Sequence, residues 1–209
     1  MKPSAVYLDH NASAPLLPEA REAVVAALEL TGNPSSVHGH GRALRALVDA
    51  ARAKIAKAAG ATREQVVFTG SATEAITQAI VGGAKALGIG RIVVSAGCHT
   101  AALKAAEATG LPVTVVDLDA DGLIRVDEVG AAMREADAAG RKLLVAVHWV
   151  NNETGVIQPI GKIEALVGAS PHYLFVDAVQ AFGKMDLEFA AHAPDMMAIS
   201  GHKIGAPAG

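Results

Sequence analysis

Only one cysteine, Cys98, occurs in this 209-residue chain, so no disulfide framework can form within it. That absence fits a reducing compartment. Aromatic residues are nearly as scarce, at 3% against an apolar share of 51% carried mostly by alanine and valine. The balance favours helices packed closely on a sheet over an aromatic-rich sandwich. No excess of one charge is present either: the net charge is −3 with both signs interspersed. A nucleic-acid partner would call for a basic footprint, and none is expected. Apolar runs are broken by Gly, Lys or Arg well short of the ~20 residues a membrane helix needs. Residues 1–15 carry Asp9, His10 and Asn11 where a signal peptide would be apolar. The expectation is a soluble, cytoplasmic protein with no membrane partner. Several fingerprints are missing as well. There is no G-x-G-x-x-G after a strand, no G-x-x-x-x-G-K-[ST], no H-E-x-x-H and no paired-cysteine motif. Dinucleotide, P-loop and zinc readings therefore lack support, and no metal site is expected.

What is present is an alternation of short β-rich runs with alanine-rich helical stretches. Strands are expected at 66–69, 91–95, 113–116, 143–148, 173–177 and 196–200. Their continuous apolar character suits strands buried on both faces of a parallel sheet. Helices are expected at 19–30, 43–59, 72–87, 101–109, 126–139 and 163–167, with Gly32, Gly60, Gly88, Gly110, Gly140 and Gly168 as C-caps. No internal repeat, low-complexity tract or linker interrupts this pattern. The fold class is α/β, a mostly parallel sheet flanked by helices.

Ligands of such sheets bind beyond the C-terminal ends of the strands, so the polar residues placed there matter most. Gly70-Ser71-Ala72-Thr73-Glu74 opens a helix after the first strand and offers free N–H groups to a phosphate. Taken alone, that segment reads better as a plain Ser/Thr N-cap. Gly97-Cys98-His99-Thr100 follows the second strand. A Cys98–His99 nucleophilic pair is disfavoured there, because neighbours in an extended segment point apart. His148-Trp149-Val150-Asn151-Asn152 follows the fourth, and Asp177, with Gln180 three residues on, closes the fifth. A carboxylate ending an apolar strand needs a cation or an N–H partner to stay charged. The last strand runs into Ser200-Gly201-His202-Lys203, placing a lysine directly after a buried segment. A phosphate cradle, a ring face, donors, a carboxylate and an imine-forming lysine are together what pyridoxal phosphate requires.

These residues also carry a family likeness. Tyr7-Leu8-Asp9-His10-Asn11-Ala12, Asn33-Pro34-Ser35-Ser36-Val37-His38 and Phe68-Thr69-Gly70-Ser71-Ala72-Thr73-Glu74 come first, followed by His99. Asn151-Asn152-Glu153-Thr154-Gly155-Val156-Ile157-Gln158-Pro159-Ile160, Asp177-Ala178-Val179-Gln180 and Ser200-Gly201-His202-Lys203-Ile204-Gly205 complete the series. Each motif is weak alone, but six in this order resemble the cysteine desulfurases of the NifS/IscS type. These are class V aminotransferase-like enzymes of pyridoxal-phosphate fold-type I.

The resemblance implies that Lys203 is the Schiff-base lysine and moves the substrate's Cα proton. It makes Asp177 the partner of the pyridine nitrogen and His99 the residue stacked on the ring. Gln180 and Asn152 match positions contacting the phenolic oxygen or the substrate. Ala72, Thr73, Ser200 and His202 match the phosphate-binding positions, with Gly201 between the last two. The implied reaction converts L-cysteine to L-alanine and an enzyme persulfide, for iron–sulfur cluster assembly or related sulfur transfer. A homodimer and a sulfur-acceptor or scaffold protein are the implied partners. A selenocysteine lyase, an aminotransferase-like lyase of the same group, or a non-catalytic fragment of the fold are the alternatives. Residues 1–14 would be a segment associating with a small domain, and 15–209 an incomplete cofactor-binding large domain. The family's C-terminal small domain, nucleophilic cysteine loop and substrate-carboxylate arginine have no match in 1–209, so the chain alone is expected to be inactive. Two local departures stand out: Cys98 replaces a usual Glu, and Gly70-Ser71 replaces Ser-Gly. The second is tolerable only if Ser71 needs no positive φ.

Overall fold

The computed structural model describes residues 5–186, 189–192 and 194–208. Two compact units emerge, one built from residues 68–199 and the other from 1–67 with 200–209.

The 68–199 unit contains all five strands: β1 (Ile89–Ser95), β2 (Val113–Val116), β3 (Lys142–His148), β4 (Tyr173–Asp177) and β5 (Met196–Ala198). They form one parallel sheet in the order β2-β1-β3-β4-β5. The expected α/β class is therefore observed. Ile92, Val93, Leu144, Val145 and Phe175 are fully buried, as strands covered on both faces must be. Parallel strands need crossover connections. Here α5 (Thr100–Ala108), α6 (Val126–Ala138) and α7 (Ile160–Gly168) link successive strands. Before β1, α3 (Ala72–Thr77) continues through a π-helical turn (Gln78–Gly82) into α4 (Gly83–Leu87). Gly88 then stops the helix with φ 66° and ψ 42°, a left-handed cap that favours glycine. From β1 the chain steps to β2 on one side and later to β3 on the other. Ligands of such sheets bind where the strand order reverses, here at the C-terminal ends of β1 and β3.

The other unit holds α1 (Pro18–Leu28), α2 (Gly39–Ala58), and the 3-10 turns Arg63–Gln65 and Gly201–Lys203. His38 caps α2, its Nδ1 accepting from Gly41 N–H at 3.3 Å. A side chain at position 41 would collide with the Ser36 and Asn33 carbonyls, so the turn closes only around glycine.

Several expectations need correction. Helix α2 begins at Gly39, four residues before the expected 43, and Gly32 lies beyond the α1 C-cap, Glu29. Residues 66–69 are extended but belong to no strand, since a ladder requires a neighbour and none of the five strands pairs with them. The strand expected at 196–200 ends at Ala198. The helix expected from 163 starts three residues early, at Ile160, with Pro159 as its N-cap. Gly168 lies inside that helix rather than capping it. A short α8 (Phe189–His192) has no counterpart in the sequence reading. Among the described residues, no helix is long and apolar enough to cross a membrane.

Candidate functional site

The C-terminal end of β1 leads into the turn Gly97-Cys98-His99. Cys98 N–H donates to Ser95 O at 3.0 Å, which tightens the turn. His99 then caps α5, with Nδ1 accepting from Ala101 N–H at 3.2 Å. A neutral ring held this way carries its proton on Nε2. The ring itself is exposed.

Cys98 meets a different histidine. Its Sγ lies 3.6 Å from His148 Nδ1 and 3.7 Å from Ala146 O. Burial and, secondarily, the Asp177 carboxylate push the thiol up to about 12. Burial also holds His148 down to about 4. At neutral pH the pair is thus a thiol beside an uncharged imidazole, not an activated thiolate. His148 Nε2 has no hydrogen-bond partner among the described residues. Its ring presses on the Gly97 backbone, where an added Cβ would sit 2.7 Å from Cε1. No cluster of three or more metal-ligating side chains occurs among the described residues.

β3 and β4 deliver the next groups, with His148 and Asp177 paired across the ladder. Asp177 is 7% exposed, and its Oδ1 accepts from Val179 N–H at 3.0 Å. The N–H partner required by a buried carboxylate is therefore in place. Gln180 is also buried, its Oε1 accepting from Lys184 Nζ at 2.6 Å. Asn152 is half-buried and donates to the Glu153 carboxylate. Its neighbour Asn151 is the structural member of the pair. Asn151 Nδ2 donates to Gly97 O at 3.0 Å, while Oδ1 accepts from the N–H groups of Glu153 and Thr154, each at 2.9 Å. It ties the β3 loop to the turn before His99.

Ala72 and Thr73 occupy the first turn of α3, whose N–H groups have no acceptor within the helix. Ser71 is the N-cap at φ −162° and ψ 163°, with Oγ accepting from Glu74 N–H at 3.1 Å. The Gly-to-Ser departure is thus accommodated, because this position is extended and needs no glycine. Glu74 Oε2 in turn accepts from Gly70 N–H at 2.7 Å.

Ser200, Gly201, His202 and Lys203 belong to the other unit. Ser200 is buried, with Oγ 2.9 Å from His202 Nδ1. Burial, and then the charge of Lys203, lowers the His202 pKa. Lys203 Nζ donates to the carbonyls of Asn11 and Ala12, at 2.6 and 3.0 Å. Ala14 N–H donates to His202 O at 2.9 Å and Leu17 N–H to Gly205 O at 2.9 Å.

The 68–199 unit therefore gathers His99, Asp177 and Gln180 on the C-terminal ends of its central strands and in the segments that follow them. Asn152 stands in the β3 loop there, while Ala72 and Thr73 open α3. The other unit sets Lys203 against residues 11–12. Sequence reading placed His148 and Asn151 after a strand but gave neither a role, and it did not foresee the two carbonyls, since backbone carbonyls leave no signature in residue type.

A family model described as aminotransferase class-V matches residues 6–209. The chain belongs to that family. Curated relatives include a putative cysteine desulfurase IscS 1 of Bacillus subtilis, 36% identical over 210 residues, covering 98% of this chain and 54% of that protein. A cysteine desulfurase of Trichormus azollae is 37% identical over 211 residues, covering 99% of this chain and 52% of its own length. The solved structure of SspA in complex with cysteine superposes with a TM-score of 0.89 at 32% identity. It covers 97% of this chain and 59% of that one. The family member described here thus spans about half the length of the curated relatives it matches.

Proposed function

We propose that this chain is the cofactor-holding part of a pyridoxal-phosphate-dependent cysteine desulfurase. Its reaction releases sulfur from L-cysteine as an enzyme persulfide with L-alanine, for iron–sulfur cluster assembly or related sulfur transfer. The observation carrying this reading is Asp177, a carboxylate buried at the end of a central parallel strand and bonded by a backbone N–H. A carboxylate so placed suits a cationic ring nitrogen better than a neutral ligand. Membership of the class V family and similarity to cysteine desulfurases point the same way.

When bound, the cofactor supplies an electron sink for bond breaking at the amino acid's α-carbon. The chain's own residues do the rest. Asp177 would keep a bound ring's nitrogen protonated, and His99 would offer a stacking face. Gln180 and Asn152 position the phenolic oxygen or the substrate. Ala72 and Thr73 match phosphate-binding positions of the family, as do Ser200, Gly201 and His202, and each set would offer donors to the phosphate. Lys203 would hold the cofactor through Nζ and, once freed by the substrate, would carry the Cα proton on that atom. Cys98 is unsuited to accept sulfur, since its thiol stays protonated at neutral pH. That role falls to another thiol of the protein. Residues 1–14 associate with a small domain, and the protein works in the cytoplasm as a homodimer that hands sulfur to an acceptor or scaffold protein.

The test is reconstitution of the full-length protein with pyridoxal phosphate. Near-visible absorbance that vanishes in Lys203→Ala, together with alanine and sulfide formed from L-cysteine, is the expected result. Absence of the absorbance would overturn the reading. Turnover of selenocysteine but not cysteine would replace it with a selenocysteine lyase.

A further inference from the structure

The strongest unexplained contact in the 1–67/200–209 unit is the one made by Lys203. Its Nζ donates to two backbone carbonyls, Asn11 O at 2.6 Å and Ala12 O at 3.0 Å. Both carbonyls stand on a turn in which the N–H groups of Ala12 and Ser13 are taken up by Asp9. Ala12 N–H is shared between Asp9 O at 3.2 Å and Asp9 Oδ1 at 3.3 Å, and Ser13 N–H donates to Asp9 O at 3.2 Å. Tyr7 braces the same turn, its hydroxyl 2.7 Å from Asp9 O and 2.9 Å from Ser13 O. The exit of the turn is fixed by Ala14 N–H donating to His202 O at 2.9 Å. With Ala12 and Ser13 N–H bonded to Asp9, the carbonyls of residues 11 and 12 together accept from Lys203 as a two-acceptor cradle. A group with several N–H donors and a positive charge fills such a cradle best, and a lysine ammonium has three.

We propose that the turn at residues 9–13 is a docking place for the free Lys203 ammonium, and that covalent loading of the lysine releases it. The release half rests on the function proposed above, which supplies the aldehyde; the docking half does not. The chemistry is a change in donor count. A lysine ammonium that joins an aldehyde carbon forms a C–N double bond in exchange for the C=O, and water leaves with two of the nitrogen's protons. One N–H at most remains. One remaining donor can at best be shared between two carbonyls, as two longer and weaker bonds, so loading weakens the cradle. The turn is therefore tightest when the lysine is unattached and loosens when it is attached. In a reaction cycle in which the lysine alternates between the two states, residues 11 and 12 position the free amine and confine its movement.

Hydrogen exchange on the full-length protein tests this, comparing cofactor-stripped protein, protein loaded with pyridoxal phosphate, Lys203→Met and Lys203→Arg. The amides of Ala12, Ser13 and Ala14 are expected to exchange about three- to tenfold faster in Lys203→Met and in the loaded protein than in the stripped protein. Lys203→Arg keeps a multidentate cation, so it should stay close to the stripped protein and not respond to the cofactor. Amides of β3 serve as the internal standard; acceleration there as well would mean general loosening of the variant, and the loaded-against-stripped comparison then decides. No acceleration in a folded Lys203→Met overturns the docking place. Acceleration in Lys203→Met with unchanged or slower exchange on loading overturns the release. If no cofactor absorbance develops, the proposed function fails, while Lys203→Met against the stripped protein still settles the docking place.

Discussion

The two units hold their chemically important residues in different ways. In the 68–199 unit, β3 is buried from Leu143 through His148, and Asp177 and His148 stand at the edge of that dry interior. Their properties come from the surroundings: desolvation alone lowers His148, and desolvation leads the causes that raise Cys98. In the other unit, α1 buries no residue and the 20-residue α2 buries only Gly41 and Ala56. Val6, Leu8, Leu28 and Val37 are all largely exposed there. Lys203 is placed instead by individual hydrogen bonds to backbone carbonyls. A residue tuned by packing is insensitive to any one bond but vulnerable to a cavity. A residue placed by a few bonds has the opposite weakness.

The contrast breaks most directly with a pair of truncations. Phe175 is completely buried in β4, so Phe175→Ala leaves a cavity and should cost about 3–5 kcal/mol. Leu28 in α1 is 79% exposed, and Leu28→Ala should shift stability by less than about 0.5 kcal/mol. Chemical denaturation of both variants in the full-length protein measures the difference. Comparable losses would show that α1 is held by packing after all.

Acid sharpens the same comparison with a smaller effect. The folded pKa of His148, about 4, lies below its ordinary 6.5. As pH falls, the unfolded chain takes up that proton first, so stability drops between roughly 6.5 and 4 and levels off below. The slope cannot exceed about 1.4 kcal/mol per pH unit for one proton. His148→Met removes the titration, so acidification from about pH 7.5 to about pH 5 should destabilise it less than the wild type. Unfolding curves at the two pH values decide, and equal losses would place His148 in a wetter setting than its burial implies.

How far the sequence could be read follows from the same division. Five strands of the packed unit were legible because parallel strands need uninterrupted apolar runs, and those runs survive in the letters. Residues 66–69 look the same in composition yet form no strand, since pairing depends on a neighbour that composition does not name. Asp177 was legible as a buried carboxylate awaiting a donor, and Val179 N–H supplies it. The Cys98–His148 contact was not, because fifty residues separate the partners and only the β1–β3 pairing brings them together. The contact of Lys203 with residues 11 and 12 was hidden more completely: its acceptors are backbone, which every residue has.

The smallest effect concerns Ser71, where the two modes of placement meet. It sits in the packed unit, but what it contributes is one bond, from Glu74 N–H to its Oγ at 3.1 Å. Loss of an N-cap of this kind costs about 1 kcal/mol on replacement by alanine and only a few tenths by glycine. Ser71→Ala should therefore destabilise by about 1 kcal/mol and Ser71→Gly by clearly less. The extended backbone here, at φ −162°, gives glycine no conformational advantage. Glycine's near-neutrality would come instead from the better solvation of the helix start. If the two substitutions cost the same, solvation of the helix start gives glycine no advantage and the lost cap bond accounts for both. If alanine costs several kcal/mol, Ser71 supports the start of α3 by more than its cap, and packing would govern this corner of the site as it governs Asp177.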